Sequence, residues 1–277
     1  MGARMEKRRL KAVCKVTVRI SLEHNIFRAA AALCYFFTLS VFPTLICLYN
    51  MMGGLFPASN TIRAFLGGVI PEKALNTILE FLRYVASNTS NAMLAVALGL
   101  LVTSASAAFR TVDDMIGEMR GKRRFSGFWE VLFSIVISLM LLVGFYVSMV
   151  LIVTGKWFLD FLDRYVMFMN ISDFWAWARF ALLFLLLFML LLLVYRVTAP
   201  KGKGFRVLPG AAIATAALVS ASSIFSAVIS HSTRYPLVYG SLGSLFIMMF
   251  WLYICGIVLF LGSALNVVLE RLDQKLI

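Results

Sequence analysis

Ser241 is the side chain whose setting most invites a catalytic reading. It lies in Gly240-Ser241-Leu242-Gly243, a glycine-flanked serine that a hydrolase would pair with a general base. The base is missing. His24 and His231 are the only histidines, neither follows Ser241, and each falls outside the long apolar runs. No GxxxxGK[ST] phosphate loop and no HExxH zinc pair occurs. Cys14, Cys34, Cys47 and Cys255 lack CxxC spacing and read as free thiols. The expectation is a chain with no catalytic residue, no metal site and no cofactor.

Other polar residues carry chemistry only if they line a path. Ser222, Ser226 and Ser230 recur every four residues and share one face of a helix, which Ala212, Ala216 and Ser220 extend. Such a face either lines a polar cavity or packs closely against a neighbour through serine hydrogen bonds. Tyr35, Thr38 and Ser40 precede Pro43, which removes a backbone donor and is expected to kink its helix. Arg110 stands three and four residues before Asp113 and Asp114, a spacing that permits local pairing. Arg120, Lys122, Arg123 and Arg124 form a basic cluster that lipid headgroups would hold. Glu130 and Arg179 sit near the ends of apolar runs, where long side chains reach the headgroup region. The most specific local pattern is Arg234-Tyr235-Pro236-Leu237-Val238-Tyr239-Gly240-Ser241-Leu242-Gly243, a turn that Pro236 keeps from being helical.

The elements that must position these residues follow from composition. Of 277 residues 61% are hydrophobic and only 14% charged, and the mean hydropathy is +0.90. A soluble fold cannot hide that much apolar surface, so lipid is the solvent for much of the chain. Six stretches reach the ~20 apolar residues a spanning helix needs: about 28–52, 91–109, 128–153, 174–195, 208–230 and 242–265. Hydrocarbon leaves no partner for an open strand, so the fold class is all-α, a six-helix polytopic membrane protein. Residues 1–27 form a basic segment before the 28–265 transmembrane domain, and 266–277 a short tail after it.

Charge sets the expected orientation. The net charge is +13. In a membrane chain this reflects anionic headgroups and basic inner loops rather than nucleic acid, which is not expected as a partner. Nineteen of the 26 Lys and Arg fall on the N-terminal segment, the 110–127 and 196–207 loops and the tail, against six on the alternate segments. Both termini are therefore expected in the cytoplasm, with the chain in the plasma membrane and anionic lipid as its surroundings. The segment between the first two spans, 53–90, contains two amphipathic patterns. Ile62, Phe65, Leu66, Val69 and Ile70 precede Pro71; Ala74, Leu75, Ile78, Leu79, Leu82 and Val85 follow it. Two short amphipathic helices, lying on the outer interface or capping the bundle, are expected there.

Several pieces together make the chain resemble the YihY/BrkB family of bacterial inner-membrane proteins, a family once labelled ribonuclease BN. They are Tyr239-Gly240-Ser241-Leu242-Gly243, Trp251-Leu252-Tyr253, Gly262-Ser263-Ala264-Leu265-Asn266, Tyr35-Phe36-Phe37-Thr38-Leu39-Ser40 with Pro43, Phe109-Arg110, and Leu208-Pro209-Gly210-Ala211. The resemblance covers roughly 20–272 and implies six spans with cytoplasmic termini. The family usually carries Glu where this chain has Ala264, while Asn266 is kept and could hydrogen-bond between helices. The functional expectation is a transporter or flippase of a small or amphipathic substrate. Tyr35, Thr38, Ser222 and Ser226 would line its path and the Tyr239–Gly243 turn would gate it. The alternatives are an envelope scaffold that binds a membrane-protein partner or its own copy, and, less favoured, an intramembrane enzyme.

Overall fold

A computed structural model of the chain describes residues 2–52, 72–88, 90–121, 171–199, 207–230 and 243–274, and the shorter pieces 128, 131–136, 139–140 and 143–144. Among these residues the fold is helical, with no strand. The longer helices are α1 (Gly2–Glu23), α2 (Ile26–Met52), α3 (Glu72–Asn88), α4 (Asn91–Arg120), α5 (Ile171–Thr198), α6 (Leu208–Ser230) and α7 (Gly243–Gln274). Four of them, α2, α4, α6 and α7, are long and apolar enough to cross a membrane. The fourth expected span, 174–195, lies within α5, whose Phe184–Thr198 part is a shorter apolar helix. The third, 128–153, lies mostly outside the described residues, and the short pieces that are described within it are helical.

Local chemistry explains the boundaries. Ser90 caps α4, its hydroxyl accepting from the Met93 amide at 3.2 Å. Gly121 ends the helix in the left-handed conformation, φ 71°, with its N–H bonded to the Glu118 carbonyl. The helix therefore runs well past 109, where the charged residues suggest that the second span stops. Those charges ride on a helix that continues beyond the apolar layer. The joint between α1 and α2 is a two-residue turn at His24–Asn25, with Asn25 at φ 52°, a region Asn tolerates better than most residues. Pro43 does not end α2, which continues to Met52. Neighbouring hydroxyls bond back to the helix, Thr38 to the Cys34 carbonyl and Thr44 to that of Ser40.

The sixth span is expected to end at 265, but α7 continues to Gln274 and is 32 residues long. That is about 48 Å of helix, against ~30 Å of hydrocarbon, so one end stands clear of the apolar layer. The basic N-terminal segment is also helical. Thr17, Ile20 and Ser21 of α1 are buried, and α1 packs against α7.

α7 is the hub. It packs against α1, α2 and α6 and also touches α3 and α4, while α2 lies along α4. The close approach of α2 and α7 rests on Gly256, where a Cβ would stand 3.3 Å from Ala30. The main core includes Ile26, Leu33, Met119, Tyr195, Phe260 and Val267. A second cluster joins Ile46 and Cys47 of α2 to Val85 of α3 and Ala97 and Leu101 of α4.

The amphipathic pattern in 72–88 is met in full where side chains are described. Leu75, Ile78, Leu79, Leu82 and Val85 are all buried, the first four packed near Leu45, and Phe81 meets Phe42 edge-on at 4.8 Å. This helix packs against α2 and α7, and its Val85 joins Ala97 and Leu101 of α4 in one cluster. The companion pattern at 62–70 lies outside the described residues.

These contacts define two ends of the bundle. At one end meet α1, the start of α2, the C-terminal ends of α4, α5 and α7 and the start of α6, through Ile20, Ile26, Met119, Ala199, Val207 and Val268. At the other lie the end of α2, α3 and the start of α4.

Candidate functional site

Polar groups gather at the first end, where three junctions tie α4, α5, α6 and α7 together. The first is ionic. Arg120, the last residue of α4, donates from Nη2 to Glu270 Oε1 of α7 at 3.3 Å and from Nη1 to the Thr198 carbonyl of α5 at 3.1 Å. The side chains of the pair are only 6% and 7% exposed. Asp113, buried two turns earlier on α4, adds a second electrostatic attraction on Arg120. Arg271 donates to the Met119 carbonyl at 2.7 Å. Two guanidinium groups thus meet the carbonyl-rich C-terminal ends of α4 and α5, where the helix dipoles favour positive charge.

The second junction caps a helix from outside. α6 begins after Val207, which has no side-chain oxygen to satisfy the first amides. Asn266 of α7 supplies it. The Gly210 N–H donates to Asn266 Oδ1 at 2.8 Å, and Asn266 Nδ2 donates to the Val207 carbonyl at 3.2 Å. Asn266 is buried, so both bonds are sheltered from water. We expect Asn266→Ala to cost roughly 1–3 kcal/mol by leaving that buried amide and carbonyl unpaired. Asn266→Asp should keep the acceptor for Gly210 but set a buried carboxylate oxygen against the Val207 carbonyl, so it too should lose stability. Thermal unfolding of the two variants in detergent measures the difference, and equal, wild-type midpoints would refute the capping role.

The third junction is steric. The Tyr195 hydroxyl of α5 donates to the Leu259 carbonyl at 2.6 Å. Gly262 makes room beside it: a Cβ there would stand 2.5 Å from that oxygen and 2.6 Å from Ala214 Cβ. Gly210 presses equally closely on Asn266 and on the Gly262 carbonyl. Hence Leu208-Pro209-Gly210-Ala211 and Gly262-Ser263-Ala264-Leu265-Asn266, remote in sequence, face each other. Ala264 is fully buried in the apolar cluster beside this contact, where a methyl group fits without a charge to neutralise.

The remaining site residues are dispersed. Ser222 is buried and accepts from Trp251 Nε1 of α7 at 3.2 Å, while Ser226 is half-buried one turn on. Tyr35 is exposed, stacked edge-on with Phe36, and Thr38 bonds to its own helix. Among the described residues no hydrogen bond joins the Tyr35–Thr38 pair to Ser222 and Ser226. The side chain of Ser230 lies outside the described residues. So do Tyr235, Pro236, Tyr239, Gly240 and Ser241 of the outer turn, and Gly243 opens α7 in a buried position. Arg110 and Asp114 are half-buried, and Asp113 is buried within reach of Arg120's field. Arg120 itself, which the sequence groups with the headgroup-facing cluster, turns inward instead. Its partner Glu270 carries no local sequence signal, because it lies 150 residues away.

Large apolar side chains cover the outside of these helices. Val96 and Leu100 of α4, Ile213, Ile224 and Val228 of α6 and Phe250 of α7 are exposed, Ile224 to 66%. Contiguous apolar surface on several long helices needs lipid to cover it. The class is therefore a multi-pass α-helical integral membrane protein. Within that class, the family described as Virulence factor BrkB matches residues 17–276, and the chain belongs to it. The ribonuclease-like protein YfkH of Bacillus subtilis is 25% identical over 248 residues, covering 87% of this chain and 89% of that protein. UPF0761 membrane proteins of Xanthomonas campestris and Xanthomonas oryzae are 24% identical over 88% of this chain. The chain spans 57% of the length of those Xanthomonas proteins. No solved structure matches it.

Proposed function

We propose that this protein is an inner-membrane transporter or flippase for a small or amphipathic substrate, with both termini in the cytoplasm. The observation that carries the reading is the buried tie of Arg120 to Glu270 between α4 and α7. A buried ion pair adds little net stability to a static bundle, since apolar residues of similar size serve as well or better. Its physical use is a bond that specifies one arrangement and can be exchanged for another, which alternating access requires. The uncharged polar pair of Ser222 and Trp251, further along α6 and α7, supplies groups that a passing headgroup could engage. Arg19 of α1, Arg120 of α4, Arg196 of α5 and Arg271 of α7 lie toward the end where the tie sits, in keeping with a cytoplasmic face. In this reading the chain carries out no hydrolysis, and the ribonuclease-like name stays with YfkH.

The test is translocation of a fluorescent short-chain phosphatidylglycerol in proteoliposomes, read by dithionite quenching. Ser222→Leu with Ser226→Leu should slow translocation at least tenfold while the protein still elutes as a folded species. Rates equal to wild type would remove these serines from the path. Wild-type vesicles no faster than protein-free ones would end the flippase reading, and recovery of a stoichiometric membrane-protein partner would then favour a scaffold.

A further inference from the structure

We propose that α1 is a docking helix for anionic lipid headgroups. Its inner face is occupied: Thr17, Ile20 and Ser21 are buried and α7 covers them. The outer side carries Lys11, Lys15 and Arg19, all exposed and four residues apart, so they form one stripe along the helix. Val18 and Leu22 flank that stripe and are 53% and 57% exposed. Exposed aliphatic side chains alternating with cations suit a helix at headgroup depth. The apolar groups meet the acyl boundary and the long basic chains reach the phosphates.

Placement supports this depth. Only the His24–Asn25 turn separates α1 from Ile26, the first residue of a membrane-spanning helix. The outer stripe therefore starts within two turns of the apolar layer. Charge then selects the partner. Arg19 shares its charge with Glu23 at 2.7 Å, but neither Lys11 nor Lys15 has an acidic partner among the described residues. Two unneutralised cations beside exposed aliphatics complement an anionic lipid such as phosphatidylglycerol. A zwitterionic lipid offers no net charge, and a soluble polyanion would gain nothing from Val18 and Leu22.

Cys14 provides the reporter, because it lies on α1 and is exposed while Cys34 and Cys47 are buried and Cys255 is half-buried. The full-length protein, labelled there with an environment-sensitive fluorophore, is placed in nanodiscs of phosphatidylcholine with or without one-third phosphatidylglycerol. The emission should shift to the blue with phosphatidylglycerol and revert in high salt. Each cation near an anionic surface is worth about fivefold. Lys11→Gln with Lys15→Gln should therefore lower the ratio of lipid-seated to free helix roughly thirtyfold, with folding unchanged at these exposed positions. Identical wild-type emission in the two lipid compositions would overturn the assignment. So would a double variant that responds like wild type, or a shift produced by soluble polyphosphate in phosphatidylcholine discs but not by phosphatidylglycerol.

Discussion

Replacing Glu270 with Gln should lower the stability of the folded bundle by ~3 kcal/mol or more, because Arg120 then keeps its charge in a buried site without its closest counter-ion. The pair is 6% and 7% exposed, so solvent cannot take over the lost partner. Asp113 and the Thr198 carbonyl remain and hold the loss toward the lower end of the range for broken buried pairs. At roughly 2–4 °C per kcal/mol, the midpoint of thermal unfolding should fall by roughly 6 °C or more. A midpoint within 2 °C of wild type would show that the pair is not buried as described.

The companion experiment separates stability from movement. Arg120→Met together with Glu270→Met removes both charges, and most of the lost stability should return. If the tie only holds helices together, phosphatidylglycerol translocation returns with it. If the tie is the exchangeable bond of an alternating-access cycle, the double variant stays folded and translocation remains suppressed at least tenfold. Full recovery of translocation would remove the observation on which the transport reading stands.

Gly262→Ala carries the second large effect. Its new methyl group would meet the Tyr195 hydroxyl at 2.5 Å and Ala214 Cβ at 2.6 Å, with the Gly210 carbonyl 3.0 Å away. The nearest atom is the end of a rigid ring, itself fully buried and bonded to the Leu259 carbonyl. Neither neighbour can step aside without separating α5 or α6 from α7. The cost should reach about 3 kcal/mol, the upper part of the range for overpacked cores. Tyr195→Phe in the same chain removes the closest oxygen and should restore part of the loss. Gly99→Ala is the control: it is also a helix glycine, but nothing lies within 4 Å of its added methyl. There the substitution should be neutral or stabilising by up to ~1 kcal/mol. Equal unfolding midpoints for the Gly262 and Gly99 variants would contradict the close approach of α6 and α7.

Much of this architecture can be read from residue order alone. Apolar runs of about 20 residues announce spanning helices because lipid leaves the backbone no other way to satisfy its hydrogen bonds. The 3.6-residue period likewise marks the buried side of α3, where Leu75, Ile78, Leu79, Leu82 and Val85 all face inward. Both signals are local and repeat along one segment, so they need no knowledge of neighbours. The same local view permits Arg110 to pair with Asp113 and Asp114, and it assigns Arg120 to headgroups. It also leaves open how far α4 and α7 continue past their apolar runs, since a charged residue on a helix looks the same whether it faces water or a partner.

What the residue order leaves open is which segments meet. Arg120 finds Glu270 across 150 residues, and the Asn266 amide reaches the start of α6 across 56. Gly210 and Gly262 look like ordinary helix glycines until two helices press together over them. Such partnerships depend on helix rotation and crossing, which are set by the sum of all packing contacts rather than by any one stretch of chain. Hydrophobic burial is non-directional and names the elements; hydrogen bonds and close backbone contacts are directional and need the assembled bundle.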